Sequence, residues 1–264
     1  MFSPNEPAAI LKSSGVLTRS WTILLAATLL AGQGARAQLP GGNQAGLNAS
    51  MLKLFGEFSA FSSKADLRLQ EKGAREPMTM TVDFAMLDGK VRVDLDMSTV
   101  KSKQIPAEVL ASYKSAGMDR VATILRPDRK TALLIYPSVQ GYVELPMSKE
   151  EASDMDRKFK IDKTKLARET VDGQACDKTK VILSTETGEK HEALVWYASE
   201  LKNFPVKMQM DQQQTIVVMQ YRDVKLVRPN ARQFEAPDGF SKYPSVDQLM
   251  QKAMLKALGG NKRP

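Results

Sequence analysis

Apolar and polar residues alternate over long stretches of this chain, the pattern of strands with one buried face. Met78, Met80, Val82, Phe84 and Met86 alternate with Thr79, Thr81, Asp83 and Ala85, and the alternation resumes at Val91, Val93, Leu95 and Met97. Between the two runs stands Asp88-Gly89, a strong two-residue hairpin signal. With that loop the paired positions sum to 177, so Met86 faces Val91, Phe84 faces Val93, Val82 faces Leu95 and Met80 faces Met97. A one-residue slip would set Val82 against Asp94, so the register is strongly specified. A turn at Gly73-Ala74 adds a third strand to the same face, with Leu69 opposite Met78, Leu67 opposite Met80 and Ala65 opposite Val82.

Further strands are predicted over 121–125, 131–136, 142–145, 159–169, 178–185, 191–197, 206–210 and 215–227. Helical periodicity is confined to three places. Residues 106–116 begin with Pro106 and end before Gly117. Residues 245–258 take Ser245 as N-cap and carry an apolar stripe of Val246, Leu249, Met250, Ala253, Met254 and Leu258. A weaker helix spans 148–157. A long antiparallel sheet with a few helices over one face is an α+β architecture.

The N-terminus reads as an export signal. Arg19 precedes the apolar run Trp21 to Ala31, and Ala35-Arg36-Ala37 follows. A cationic flank, a short apolar stretch and an A-x-A ending define a secretory signal peptide, and about ten apolar residues fall short of the roughly 20 that span a bilayer. Cleavage is expected after Ala37, which places the mature chain in the periplasm with no transmembrane segment; the alternative is an uncleaved amphipathic anchor. The expected organisation is a signal peptide over 1–37, a flexible lead-in over 38–50, one domain over 51–258 and a disordered tail over 259–264.

Composition narrows the function classes. The chain has 264 residues, 42% hydrophobic and 26% charged, as in a folded domain. One cysteine and one histidine exclude a zinc finger, a disulfide scaffold and a His-rich metal centre. From a net charge of +8, loss of Lys12, Arg19, Arg36 and Glu6 with the signal leaves +6. The charges are interleaved, not gathered into a basic stripe with aromatics, which argues against nucleic acid as a partner.

A set of turn and strand-end motifs carries a resemblance. It comprises the Asp88-Gly89 hairpin, Ile124-Leu125-Arg126-Pro127-Asp128-Arg129-Lys130 with Tyr136-Pro137, and Tyr142-Val143-Glu144-Leu145-Pro146. Glu169-Thr170-Val171-Asp172-Gly173-Gln174-Ala175-Cys176-Asp177-Lys178, Val195-Trp196-Tyr197-Ala198, Phe204-Pro205-Val206-Lys207 and Phe234-Glu235-Ala236-Pro237-Asp238-Gly239-Phe240 complete it. Over most of the mature chain, this resembles exported bacterial proteins of the domain of unknown function 4412 family, related to the LolA/LolB/RseB-like superfamily. The resemblance implies a curved, unclosed antiparallel β-barrel with helices covering the concave apolar face. In characterised relatives that cavity holds acyl chains of lipoproteins or reads an envelope-stress ligand. No reaction is assigned to the family, so no catalytic residue is carried over.

Candidate chemistry is sparse. Cys176 and His191 flank a turn near Thr187-Gly188; partners summing to about 375 set Cys176 opposite Ser199 and His191 opposite Ser184. That leaves them roughly 25 Å apart, too far for a nucleophile and its base. Cys176 reads as a buried small hydrophobe, or as an intermolecular disulfide partner. Asp83 faces Asp94, with Asp96 two residues along, a spacing that suits Ca²⁺. Lys64 opposite Asp83 and Arg92 beside Asp94 favour a solvated mixed-charge face instead. No metal site, cofactor or catalytic residue is expected.

The methionines on inward faces suit a surface that accepts variable apolar shapes. The expected ligand cavity is Met80, Val82, Phe84, Val93, Leu95, Met208 and Met219 on strands, lidded by Leu249, Met250 and Met254 of the last helix. The function expected is that of a soluble periplasmic binding protein, not an enzyme, sheltering a lipid or lipoprotein acyl chain. The alternative is a cell-envelope interaction or sensor module, with an envelope protein as partner and a cavity filled by its own side chains.

Overall fold

The computed structural model describes residues 49–259, apart from Gln104, Gln213 and Gln214. The proposed signal peptide, most of the lead-in and residues 260–264 lie outside the described residues. Twelve strands form one sheet in the order β12-β6-β5-β4-β3-β2-β1-β11-β10-β9-β8-β7. Two sequence-local meanders make it up: β1 (Ala60–Glu71), β2 (Met78–Leu87), β3 (Lys90–Asp96), β4 (Arg120–Arg126), β5 (Thr131–Tyr136) and β6 (Gly141–Pro146), then β7 (Phe159–Val171), β8 (Gln174–Thr185), β9 (Lys190–Ala198), β10 (Phe204–Gln212) and β11 (Thr215–Lys225). They are sewn together by β1 against β11, and β12 (Ser241–Tyr243) adds a short parallel edge to β6.

The connection between the two meanders shows why the sheet is curved. β6 and β7 stand ten positions apart in the strand order, about 48 Å in a flat sheet at about 4.8 Å per strand. Only residues 147–158 join them, and eight of these form helix α3 (Lys149–Asp156). At 1.5 Å per helical residue, plus extended ends, that link reaches about 30 Å. The sheet must roll to bring its edges within that span, and it remains unclosed. Bulges at Ser62/Lys64, Lys165/Ala167 and Pro205/Lys207 interrupt the ladders and add the local twist a rolled sheet needs. The α+β antiparallel architecture is the one the sequence pattern predicts, and its curved, unclosed form is the one the family resemblance implies.

The turns are built by chemistry visible in the sequence. Asp88 and Gly89 both take positive φ, 49° and 81°, the two-residue turn whose twist matches flanking strands. Asp172-Gly173 repeats the device between β7 and β8, at φ 47° and 77°. Ser148 caps α3 reciprocally with Glu151. The Ser245 hydroxyl accepts from the Gln248 amide at the start of α4 (Val246–Gly259). Helix α2 (Ala107–Ser115) takes Pro106 as its N-cap and ends before Gly117, whose φ is 68°.

The pairing β1–β2 matches the expected register throughout, and β2–β3 matches it from Val82↔Leu95 to Leu87↔Lys90. It departs at Met97. A 3-10 turn over Met97–Thr99, capped by Asp96, lifts the chain away, so Met80 does not face Met97. Thr79 pairs instead with Lys101. The β8–β9 register is also one residue from expectation, with Cys176 opposite Ala198 and His191 opposite Leu183. Its loop is three residues, Glu186 to Gly188, closed by Thr185 N–H to Glu189 O at 2.9 Å, with Gly188 at φ 85°.

The sheet is covered on both faces at one end, which alternation alone does not foresee. Ala85, Leu87, Ala122, Ile124, Leu133 and Ile135 point away from the methionine face and bury Phe234, which has no exposed surface. Arg126 fastens this layer. Its side chain is only 4% exposed; Nε and Nη2 donate to both Asp128 oxygens at 3.0 and 2.9 Å, and Nη1 donates to Phe234 O at 2.9 Å and pairs with Glu235 at 2.6 Å. The Arg126 guanidinium holds the Asp128 carboxyl below its ordinary range. Stability from a lowered carboxyl is present above its unfolded pKa, near 4, and is lost as pH falls through the lowered folded value. Amide protection over 231–236, measured relative to the intrinsic exchange rate at each pH, should therefore fall as pH drops below about 4. Asp128→Asn should remove that pH step; an unchanged profile would mean Asp128 does not hold the segment.

Candidate functional site

The strand residues of the expected cavity do lie together. Met80, Val82, Phe84, Val93, Leu95, Met208 and Met219 all belong to one buried cluster on one sheet face. Cross-strand pairing explains it: Leu67 joins Met80 to Met219, and Met219 faces Met208, so the face runs unbroken from β2 through β1 and β11 to β10. Seven methionines of the described residues are buried there, Met51, Met80, Met86, Met97, Met208, Met210 and Met219. An unbranched thioether adapts to neighbours of different shape better than a branched side chain does.

The element over the centre of this face is the short helix α1 (Ala49–Lys53), not the C-terminal helix. Met51, Leu54 and Phe55 descend from it and from the turn that follows. The Phe55 ring lies 4.8 Å from Phe61, 5.7 Å from Phe84, 5.9 Å from Phe204 and 5.5 Å from Tyr221, centroid to centroid. The spacing Met51, Leu54, Phe55, Phe58 is a one-sided helical pattern that the strand-focused reading passes over, because Gly56 cuts it short.

Helix α4 packs elsewhere. Val246, Leu249 and Ala253 bury against Met118, Tyr136 and Val143, over β4–β6 on the same face, with Met250 partly buried beside them. Gly141 permits the contact, since a Cβ there would lie 2.9 Å from the Tyr243 ring and 3.1 Å from Leu249 Cδ1. Met254 is 48% exposed. Leu249 and Met250 are thus brought to a separate cluster from the strand methionines, and Met254 to neither.

Two hydroxyls sit in the apolar cluster without a strong partner. Among the described residues, buried Ser63 Oγ makes no hydrogen bond; Ser63 lies opposite Phe84. Tyr221, which packs on Phe55 and Phe84, directs its hydroxyl to Met219 Sδ at 3.6 Å, and burial pushes its pKa up. Buried hydroxyls ordinarily find partners, and this pair departs from that rule on one side of the Phe55 ring.

The other candidates are kept apart. The partner of His191 in β8 is seven positions from Cys176, about 23 Å at the usual strand rise. Cys176 is buried, and burial raises its pKa, which suits an inert thiol. Asp83 does face Asp94, yet Arg92 Nε and Nη2 each donate to Asp94 at 2.6 Å. Asp96 accepts from Ser98 N–H and pairs with Arg120 at 3.3 Å. Among the described residues, no group of three carboxylate, His or Cys ligands stands where a metal ion could be held.

On the opposite face, Trp196 lies between Lys178 and Lys207, whose amines are 5.2 and 4.5 Å from its ring. Its Nε1–H donates to Glu169 at 2.7 Å, and Glu169 also pairs with Lys178 at 2.8 Å. Lys178 first, then Trp196, hold the Glu169 carboxyl below its ordinary range. Lys178, Trp196 and Lys207 form one row across β8, β9 and β10, and Glu169, two positions along β7 from the partner of Lys178, ties the fourth strand to it.

No protein-family model and no curated protein matches the chain. Among solved structures, the chain is similar to a LolA superfamily protein from Nitrosomonas europaea, at 11% identity with a TM-score of 0.40, over 72% of this chain and 98% of that one. The lipoprotein LppX of Mycobacterium tuberculosis is 10% identical with a TM-score of 0.37, over 66% and 90%. MucB in the MucA/MucB complex of Pseudomonas aeruginosa is 13% identical with a TM-score of 0.36, over 72% and 60%. Among the described residues, no helix is long and apolar enough to cross a membrane.

Proposed function

We propose that this protein is a non-catalytic binding protein of the periplasm that shelters an apolar chain, such as a lipid or lipoprotein acyl group, on its methionine-rich face. The observation that carries the reading is the face itself: six buried methionines under a five-residue helix that adds a seventh, Met51, with the Ser63 and Tyr221 hydroxyls poorly partnered beneath Phe55. Displacing α1 would expose a desolvated, adaptable surface with two hydrogen-bonding groups at one end. The guest would gain about 25 cal/mol for each Å² of apolar surface removed from water. The export signal expected to end at Ala37 supports the compartment.

A second reading has its own observation. The same face is filled in this structure by the protein's own rings, with Phe61 and Phe204 fully buried and Met208 only 1% exposed. A self-filled core of this kind suits an interaction or sensor module that engages an envelope protein by its surface. Mass spectrometry of protein purified from the envelope fraction, with titration of cis-parinaric acid, separates the two. The carrier reading expects co-purifying lipid and saturable binding of the fluorescent acid, displaced by laurate. Absence of both would overturn it and leave the interaction module.

A further inference from the structure

The polar face of the sheet holds an open groove of about 640 Å³ over β2, β1, β11 and β10. That volume is in the range of small-molecule sites. Register defines its floor. Lys101 pairs with Thr79, Thr79 with Arg68, Arg68 with Val218, and Val218 with Gln209, so these five side chains form one row across the sheet. Ile216 lies one row to the side, and Thr81, Asp66, Gln220 and Lys207 form the row on the other.

The charges of these rows are unequally compensated. Asp66 is taken up by Arg222 at 2.6 Å and by the Thr81 hydroxyl, which donates to it at 2.7 Å. Lys72 beyond the groove pairs with Asp211 at 3.0 Å. Lys207 stacks on Trp196, and Gln220 donates to Asp172 at 2.7 Å. Arg68 and Lys101 are exposed, and among the described residues neither has an ion-pair or side-chain partner. They flank Thr79, Arg68 from β1 and Lys101 from an isolated bridge on the other side, so their backbones lie about 10 Å apart, and both long side chains line the space beside it. Beside them Ile216 and Val218 form a half-buried apolar strip on an otherwise polar face.

We propose that this groove binds a small amphiphilic anion. Arg68 and Lys101 receive its phosphate or carboxylate group, and its apolar body lies along Val218 and Ile216. Two uncompensated cations in a groove raise the local concentration of such an anion, and a guanidinium offers it paired donors in one plane. The site is on the face opposite the methionines, and its ligand is selected by charge; it does not depend on any guest beneath α1.

Calorimetric titration of the full chain with octyl phosphate, octyl glucoside and inorganic phosphate tests this. Octyl phosphate should bind with one-to-one stoichiometry and at least tenfold tighter than either comparison compound. The double variant Arg68→Glu, Lys101→Glu should lose at least tenfold of that affinity with an unchanged unfolding midpoint, while Arg68→Lys, Lys101→Arg should retain it. Equal affinity for octyl glucoside would overturn the role of charge, and equal affinity for inorganic phosphate would overturn that of the apolar strip. Unchanged affinity in the Glu variant would place any binding elsewhere, as would octyl phosphate that binds only when α1 can be displaced.

Discussion

Replacing Val82 by aspartate should lower the stability of the fold by on the order of 4 kcal/mol or more, while replacing its neighbour Asp83 by valine should change it by no more than about 0.5 kcal/mol. Val82 is 2% exposed and sits between Ala65 and Leu95 on the methionine face. A carboxylate there would lose water and gain no partner. Asp83 points to the solvated face, with Lys64 on one side and Asp94 on the other. Losing it removes a repulsion from Asp94 as well as an attraction to Lys64. Urea unfolding of the two variants is the measurement. Equal shifts in midpoint would show that the two faces of β2 are wrongly assigned.

Phe55→Ala should cost about 3–5 kcal/mol, the usual range for deleting a buried ring, and should increase binding of an apolar dye. The ring is 1% exposed and meets four others, each from a different strand. Phe61 is on β1, Phe84 on β2, Phe204 on β10 and Tyr221 on β11, so Phe55 is where the two meanders are held to one helix. Its removal leaves a hole lined by the Ser63 and Tyr221 neighbourhood, open to a guest. Chemical unfolding gives the first quantity and dye fluorescence at low denaturant the second. Loss of stability without dye uptake would show that the space collapses, and would count for the self-filled module.

Legibility in the sequence followed the strength of local signals. Alternation against the Asp88-Gly89 loop set the register of β2 with most of β3, because a slip of one would bury Asp94, and the Gly73-Ala74 turn set that of β1 with β2. The departure at Met97 comes from Asp96, whose side chain accepts from Ser98 N–H and starts a 3-10 turn; nothing in the apolar pattern opposes it. The Phe234 layer did leave a signal. Met86-Leu87, Ile124-Leu125 and Leu133-Leu134-Ile135 break alternation with successive apolar residues, as strands buried on both faces do. For the site, the methionine face was legible and its cover was not. An amphipathic stripe such as Val246 to Ala253 shows that a helix must bury itself, but any apolar surface of suitable width will serve. Placement over β4–β6 is decided by Gly141, which leaves room for Tyr243 and Leu249.

The strand order has a kinetic side. Strands β2 to β6 and β8 to β11 each find a partner next to them in the chain, and such contacts form early because little chain must be ordered to make them. β1 is different. One of its edges meets β2 at once, but the other waits for β11, which begins only at Thr215. By sequence separation, closing the seam between them is expected to be the slow step of folding, and until it closes β1 is an open strand edge, the feature that invites pairing with another molecule. Lys64, Asp66, Arg68 and Gln70 line that edge on the polar side. Before they shape a groove, these side chains keep a half-made sheet from finding the wrong neighbour.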